Sequence, residues 1–190
     1  MRSGLPCSDP ALTDPASAFA SYGFDTNMQN IRNTFFPGQS DATYALVKYA
    51  LILVSLVLIA LIARNKALSP TSPSAFKSDL FIAGGSIFFF TYLTSSNWDY
   101  RLIFLILCMP YILSVQSGLV KHSMLISILP ALYAMILMEF LGPIGFYLSV
   151  LSKYYCFIMV SACLVRELYY YLSAYFPYFK PNKYPYALNK

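Results

Sequence analysis

The stretch ATYALVKYALILVSLVLIALIA, residues 42–63, decides the fold. It holds one charged residue, Lys48, near its start, and neither glycine nor proline. About 20 consecutive apolar residues carry a helix across a bilayer core, so this run predicts a transmembrane helix. Lys48 enters early enough to reach back to the near headgroups. Arg64 and Lys66 close the other end.

The composition extends this reading to the whole chain. It is 58% hydrophobic and 11% charged, where soluble domains carry about 25% charged residues. Its mean hydropathy is +0.57. The formal net charge of +5 sits at the ends of apolar runs, where basic residues orient spans and meet anionic headgroups. No basic cluster with interleaved aromatics stands outside these runs, so no nucleic-acid partner is expected. Cys108, Cys156 and Cys163 lie inside apolar runs and read as small hydrophobes. With Cys7 and the single His122 they form neither a disulfide framework nor a zinc pattern. No metal and no cofactor is expected.

Residues 1–41 read as an extramembrane segment, broken by Pro6, Pro10, Pro15, Pro37 and Gly38. Within it, residues 25–36 suit a short amphipathic helix on the membrane surface, with Met28, Ile31 and Phe35 on one face. After the first span, further spans are expected at 80–94, 100–119, 122–140 and 154–172. Pro110 and Pro130 fall inside two of them. AGGS at 83–86 predicts close helix packing. Residues 146–155 are aromatic and half polar, which suits a short helix along the interface. The expected fold is all-α: a polytopic transmembrane helix bundle of about five spans. Residues 1–41 form its extramembrane segment, 42–173 the bundle, and 174–190 a basic aromatic tail.

Five spans put the chain ends on opposite sides. Arg64, Lys66, Lys77, Lys121, Arg166, Lys180, Lys183 and Lys190 fall on one side; Arg2, Arg32, Lys48, Arg101 and Lys153 fall on the other. The richer side should be cytoplasmic, which leaves the N-terminus outside. Asp41, Asp99, Arg101, Glu139 and Lys153 then share the outer face. Around 95–101 the sequence SSNWDYR opens the third span. Ser96 or Asn97 is placed to cap it, and Asp99 suits its first turn. Trp98 and Tyr100 are interface anchors. The Arg101 guanidinium either pairs with Asp99 or holds a phosphate through its paired donors. The candidate ligand-binding residues are therefore Asn97, Asp99, Tyr100, Arg101, Asp41 and Glu139. The catalytic residues are not assigned, because D-x-R is not the D-x-D pair that holds a divalent metal.

DLFIAGGSIFFFTYLTSSNWDYRLIFLILCMPYIL, residues 79–113, resembles a segment near the C-terminus of bacterial polytopic glycosyltransferases of the GT-C superfamily. The shared pattern is a span rich in small residues, an N-x-D-Y-R-L turn at 97–102, and a following span with a proline. Residues 151–172 resemble the last span of that group more weakly. The resemblance implies a polyprenyl-phosphate-sugar donor and transfer on the outer face of a bacterial plasma membrane. It also implies a C-terminal portion of a longer enzyme. The early outer loop that carries the family's catalytic aspartate has no counterpart here, and no catalytic base is carried over. The expected function is part of such a transferase. The alternative is a non-catalytic membrane scaffold or partner subunit, or a truncated remnant. A small transporter, suggested by Pro110, Pro130 and Lys153, is a third reading. Expected partners are membrane lipids, a polyprenyl-phosphate sugar and other membrane subunits.

Overall fold

The computed structural model describes residues 21–22, 24, 28–29, 32–33, 38, 40–71, 74–93, 97–98 and 103–175. In chain order they form β1 Ser21–Tyr22, α1 Asp41–Ala63, α2 Ala75–Leu93, β2 Asn97–Trp98, α3 Phe104–Ser114, α4 Gly118–Leu132, α5 Ala134–Leu141 and α6 Pro143–Tyr175. One turn of 3-10 helix, Lys66–Leu68, joins α1 to α2. The architecture is all-helical, with a two-residue antiparallel ladder pairing Ser21 with Trp98 and Tyr22 with Asn97.

α1 starts where the sequence supplies a cap. The extended Ser40 accepts from the Thr43 amide through its hydroxyl, satisfying one of the donors a helix start leaves open. Its 23 residues rise about 35 Å, against about 30 Å of bilayer core. Ser55 and Ile59 are its buried residues. Ser55 lies 2.5 Å from the Tyr154 hydroxyl of α6.

α2 and α3 form an antiparallel hairpin around Gly84. A Cβ there would lie 2.6 Å from Leu107 Cβ and 2.9 Å from the Phe104 carbonyl, so only a missing side chain allows this approach. Phe81 stacks on Tyr111 with ring centroids 4.3 Å apart. On its other side α2 meets α6: Tyr92 and Phe89 stack on Phe157 at 4.4 Å and 5.6 Å. The helices alternate in sense. α1 and α6 run the same way, since Ser55 faces Tyr154 and Asn65 faces Arg166. α2 runs against both α3 and α6.

Several boundaries differ from the sequence expectation. The second helix begins at Ala75, so Asp79 lies inside it rather than at its start. The third ends at Ser114 instead of continuing to 119, because Val115 pairs with Pro70 and Ser117 caps α4. The expected fourth span is two helices. Pro130 offers no amide, and Tyr133 leaves helical geometry at φ −104°, ψ 35°. The expected break at 142–145 is confined to Gly142, whose φ of +55° lies where glycine is at ease. Pro143 then opens α6, its missing amide needed by no bond. Gly145 sits inside α6 and packs on the Leu137 carbonyl.

The separate interface helix expected at 146–155 is the first part of α6, a single helix of 33 residues. Ser149, Ser152 and Lys153 are buried on it. These polar residues face the bundle instead of marking a helix end. Lys153 is 2% exposed and does not sit on an open outer rim. Met28, expected on a membrane-surface helix, is buried, as is Phe24, which meets Tyr92 edge-on.

Two helices, α1 and α6, are long and apolar enough to cross a membrane. α2 includes Lys77 and Asp79, while α3 and α4 are apolar helices of 11 and 15 residues.

Candidate functional site

The residues singled out by the sequence are dispersed across the described structure. Asp41 opens α1 with its side chain 95% exposed, and Arg32 donates to its Oδ1 at 2.8 Å. The same guanidinium lies 4.9 Å from the Tyr44 ring centroid. Asn97 pairs through its backbone with Tyr22. Glu139 is exposed on α5. Asp99, Tyr100 and Arg101 lie outside the described residues, as does Cys7. Among the described residues, no three His, Cys, Asp or Glu side chains are grouped to hold a metal ion.

The densest polar constellation is at the other end of the bundle, around neighbouring residues of α6. Arg166 is 6% exposed and Glu167 2% exposed. One residue along a helix turns the side chain by about 100°, so the two face different neighbours. Arg166 reaches the connection after α1. Its Nη1 donates to the Asn65 carbonyl at 2.5 Å, and its Nη2 donates to Ser69 Oγ. Nη2 also lies 3.4 Å from the Tyr170 hydroxyl, with the guanidinium carbon 5.4 Å from that ring's centroid. Glu167 faces α3: the Tyr111 hydroxyl donates to its Oε1 at 2.7 Å and lies 3.4 Å from the Leu68 carbonyl.

The loop gripped by Arg166 is stitched to the α3–α4 turn by backbone. The Thr71 amide donates to the Ser114 carbonyl at 2.7 Å, and Gln116 to Ser69 at 2.8 Å. Ser117 donates to Ala67 at 3.3 Å. One arginine therefore ties the α1–α2 connection, and through it the α3–α4 turn, to α6. Burying these charges is costly unless they are well hydrogen-bonded. Each charge-assisted bond contributes about 1.5 to 3 kcal/mol net. The physical effect is a latch that fixes the order of four helices.

Smaller hydroxyl pairs line α6 above the latch. Ser123 of α4 lies 2.6 Å from the Tyr155 hydroxyl, matching the Ser55–Tyr154 pair on the opposite flank. His122 places Nδ1 2.6 Å from the Gly118 carbonyl one turn back, where it donates.

A linear reading takes Arg166 as a basic residue near a helix end and gives Glu167 no role. The available signal was the Arg–Glu pair in VRELYYYL, 165–172: an ionisable pair set inside an apolar run is by default a site.

No known protein family, curated protein or solved structure matches this chain.

Proposed function

We propose that this chain is an integral membrane protein, a five-pass helical bundle acting as a non-catalytic scaffold or partner subunit. The carrying observation is its inverted distribution of polarity. Leu53, Leu56 and Leu61 on α1, Ile106 and Leu113 on α3, and Leu148 and Leu151 on α6 are bare. Lys153, Arg166 and Glu167 are inside. Water would penalise such a perimeter at about 25 cal/mol per Å², whereas acyl chains do not. α1 and α6 are the principal spans; α2, α3 and the α4–α5 pair complete five passes. The alternating sense of the helices supports that count. The basic surplus of the sequence at the latch end supports a cytoplasmic latch and an outer N-terminus, and the likeness at 79–113 supports a bacterial plasma membrane. The scaffold role is supported by how Arg166 and Glu167 are used, since both hold the fold together.

A second reading, a polyprenyl-phosphate-sugar transferase or part of one, rests on the 97–102 turn. Support comes from the ladder that pairs Asn97 and Trp98, the first residues of that stretch, with Tyr22 and Ser21. Titration of the purified protein with a polyprenyl-phosphate sugar separates the two. The scaffold reading predicts no binding that depends on Arg101. Saturable binding that weakens in Arg101→Lys, which keeps the charge but loses the planar fork, would replace it with the transferase reading.

A further inference from the structure

Arg166 is a buried cation whose partners among the described residues are all neutral: a backbone carbonyl, two hydroxyls and an aromatic ring. Buried guanidinium groups ordinarily meet a carboxylate or a phosphate. Glu167, the adjacent acid, accepts a hydrogen bond from the Tyr111 hydroxyl on another side of α6.

The donors around this cation are in excess. Nε of Arg166 has no hydrogen-bond partner among the described residues. Nε and Nη2 share one edge of the guanidinium, the edge that engages oxyanions side-on. Ser69 Oγ and the Tyr170 hydroxyl both accept from Nη2. Each therefore keeps its own proton, and neither donates to a described residue. Two hydroxyl protons beside Nη2 and the neighbouring Nε–H thus have no acceptor among the described residues. Ser69 and Tyr170 are half-buried, and Arg64 and Lys66, both exposed, flank the Asn65 whose carbonyl Arg166 holds. The approach from solvent is therefore basic.

We propose that this edge is an oxyanion site for a phosphate group, with Nε–H, Ser69 Oγ–H and the Tyr170 hydroxyl as donors. Arg64 and Lys66 raise the local concentration of the anion without touching it. The phosphate comes either from an anionic phospholipid headgroup of the adjoining leaflet or from a free phosphate. The lipid source rests on the membrane reading above; the donor geometry does not. Basic pockets between helices at a cytoplasmic leaflet take headgroups of this kind.

The test uses the full chain purified in neutral detergent. Thermal unfolding is followed while adding phosphatidylglycerol, phosphatidylcholine or inorganic phosphate. Phosphatidylglycerol should raise the melting midpoint saturably and phosphatidylcholine should not. A saturable response to inorganic phosphate as well assigns the site to the free anion, and it also supports the proposal. Arg166→Lys should abolish the response, but it also loosens the latch. Ser69→Ala and Tyr170→Phe are therefore the deciding variants. Each removes one donor and should weaken the apparent affinity by about tenfold. An equal response to both lipids with none to phosphate would overturn the proposal. So would an undiminished response in the Ser69→Ala, Tyr170→Phe double variant. A chain recovered in the aqueous phase without detergent would defeat the membrane reading alone, leaving the phosphate titration to judge the site.

Discussion

The Tyr111 hydroxyl of α3 donates to the Glu167 carboxylate of α6 at 2.7 Å, and both residues are buried. This bond joins the centre of the α2–α3 hairpin to the longest helix. Tyr111→Phe keeps the stack on Phe81 but leaves the carboxylate short of a donor. We expect a loss of about 1.5 to 3 kcal/mol, the range for hydrogen bonds to charged groups, seen as a lower unfolding free energy in detergent micelles. An unchanged value would mean that Glu167 is satisfied without Tyr111.

Gly84 and Gly85 are neighbours in sequence but face different spaces. A Cβ on Gly84 would lie 2.6 Å from Leu107 Cβ, while one on Gly85 would lie 3.6 Å from Leu164 and Val160 side chains. Gly84→Ala should therefore destabilise by about 1 to 3 kcal/mol through overpacking. Gly85→Ala fits as ordinary contact and removes backbone freedom, so it should be neutral or slightly stabilising. Melting of the two variants in the same detergent checks the contrast. Equal destabilisation of both would count against the hairpin.

Charged pairs at the two ends should respond differently. Asp41 meets Arg32 with its carboxylate almost fully exposed, and exposed pairs contribute little once solvent screens them. Asp41→Asn should leave stability within about 0.5 kcal/mol of wild type. A loss approaching that of Tyr111→Phe would show that the pair fastens the N-terminal segment.

Orientation is checked by labelling. In a chain with Cys7, Cys108, Cys156 and Cys163 replaced, Trp98→Cys should react with an impermeant thiol reagent added outside cells. Pro70→Cys, on the stitched connection, should react only after the membrane is opened. The reverse pattern would invert the topology.

The helical class and the first span were legible because residues 42–63 carry an uninterrupted apolar run with a cap and basic closure; the helix found is Asp41–Ala63. The small-residue approach at Gly84 was legible for the same local reason. The 115–117 turn was not, since Leu113 and Val115 look like continuing helix until the backbone of 67–71 pairs with 114–117. Nor was the start of α6: Ser149, Ser152 and Lys153 resemble a polar boundary in a linear reading. In a bundle that turns its polar residues inward, the same side chains mark an interior face. Of the candidate site, Asp41 meets Arg32 and Asn97 pairs with Tyr22. The roles of Arg166 and Glu167 come from contacts 101 and 56 residues apart in sequence, Asn65 with Arg166 and Tyr111 with Glu167, which no local pattern encodes.

The central claim is that a bare apolar perimeter and buried charges mark a chain that resides in a bilayer. Its most direct measurement is the partition of the expressed protein when isolated membranes are washed at alkaline pH. That treatment strips peripheral proteins and leaves integral ones in the pellet. The account predicts that the chain stays in the pellet and is released by detergent. Recovery of folded, monodisperse protein in the alkaline supernatant would contradict it.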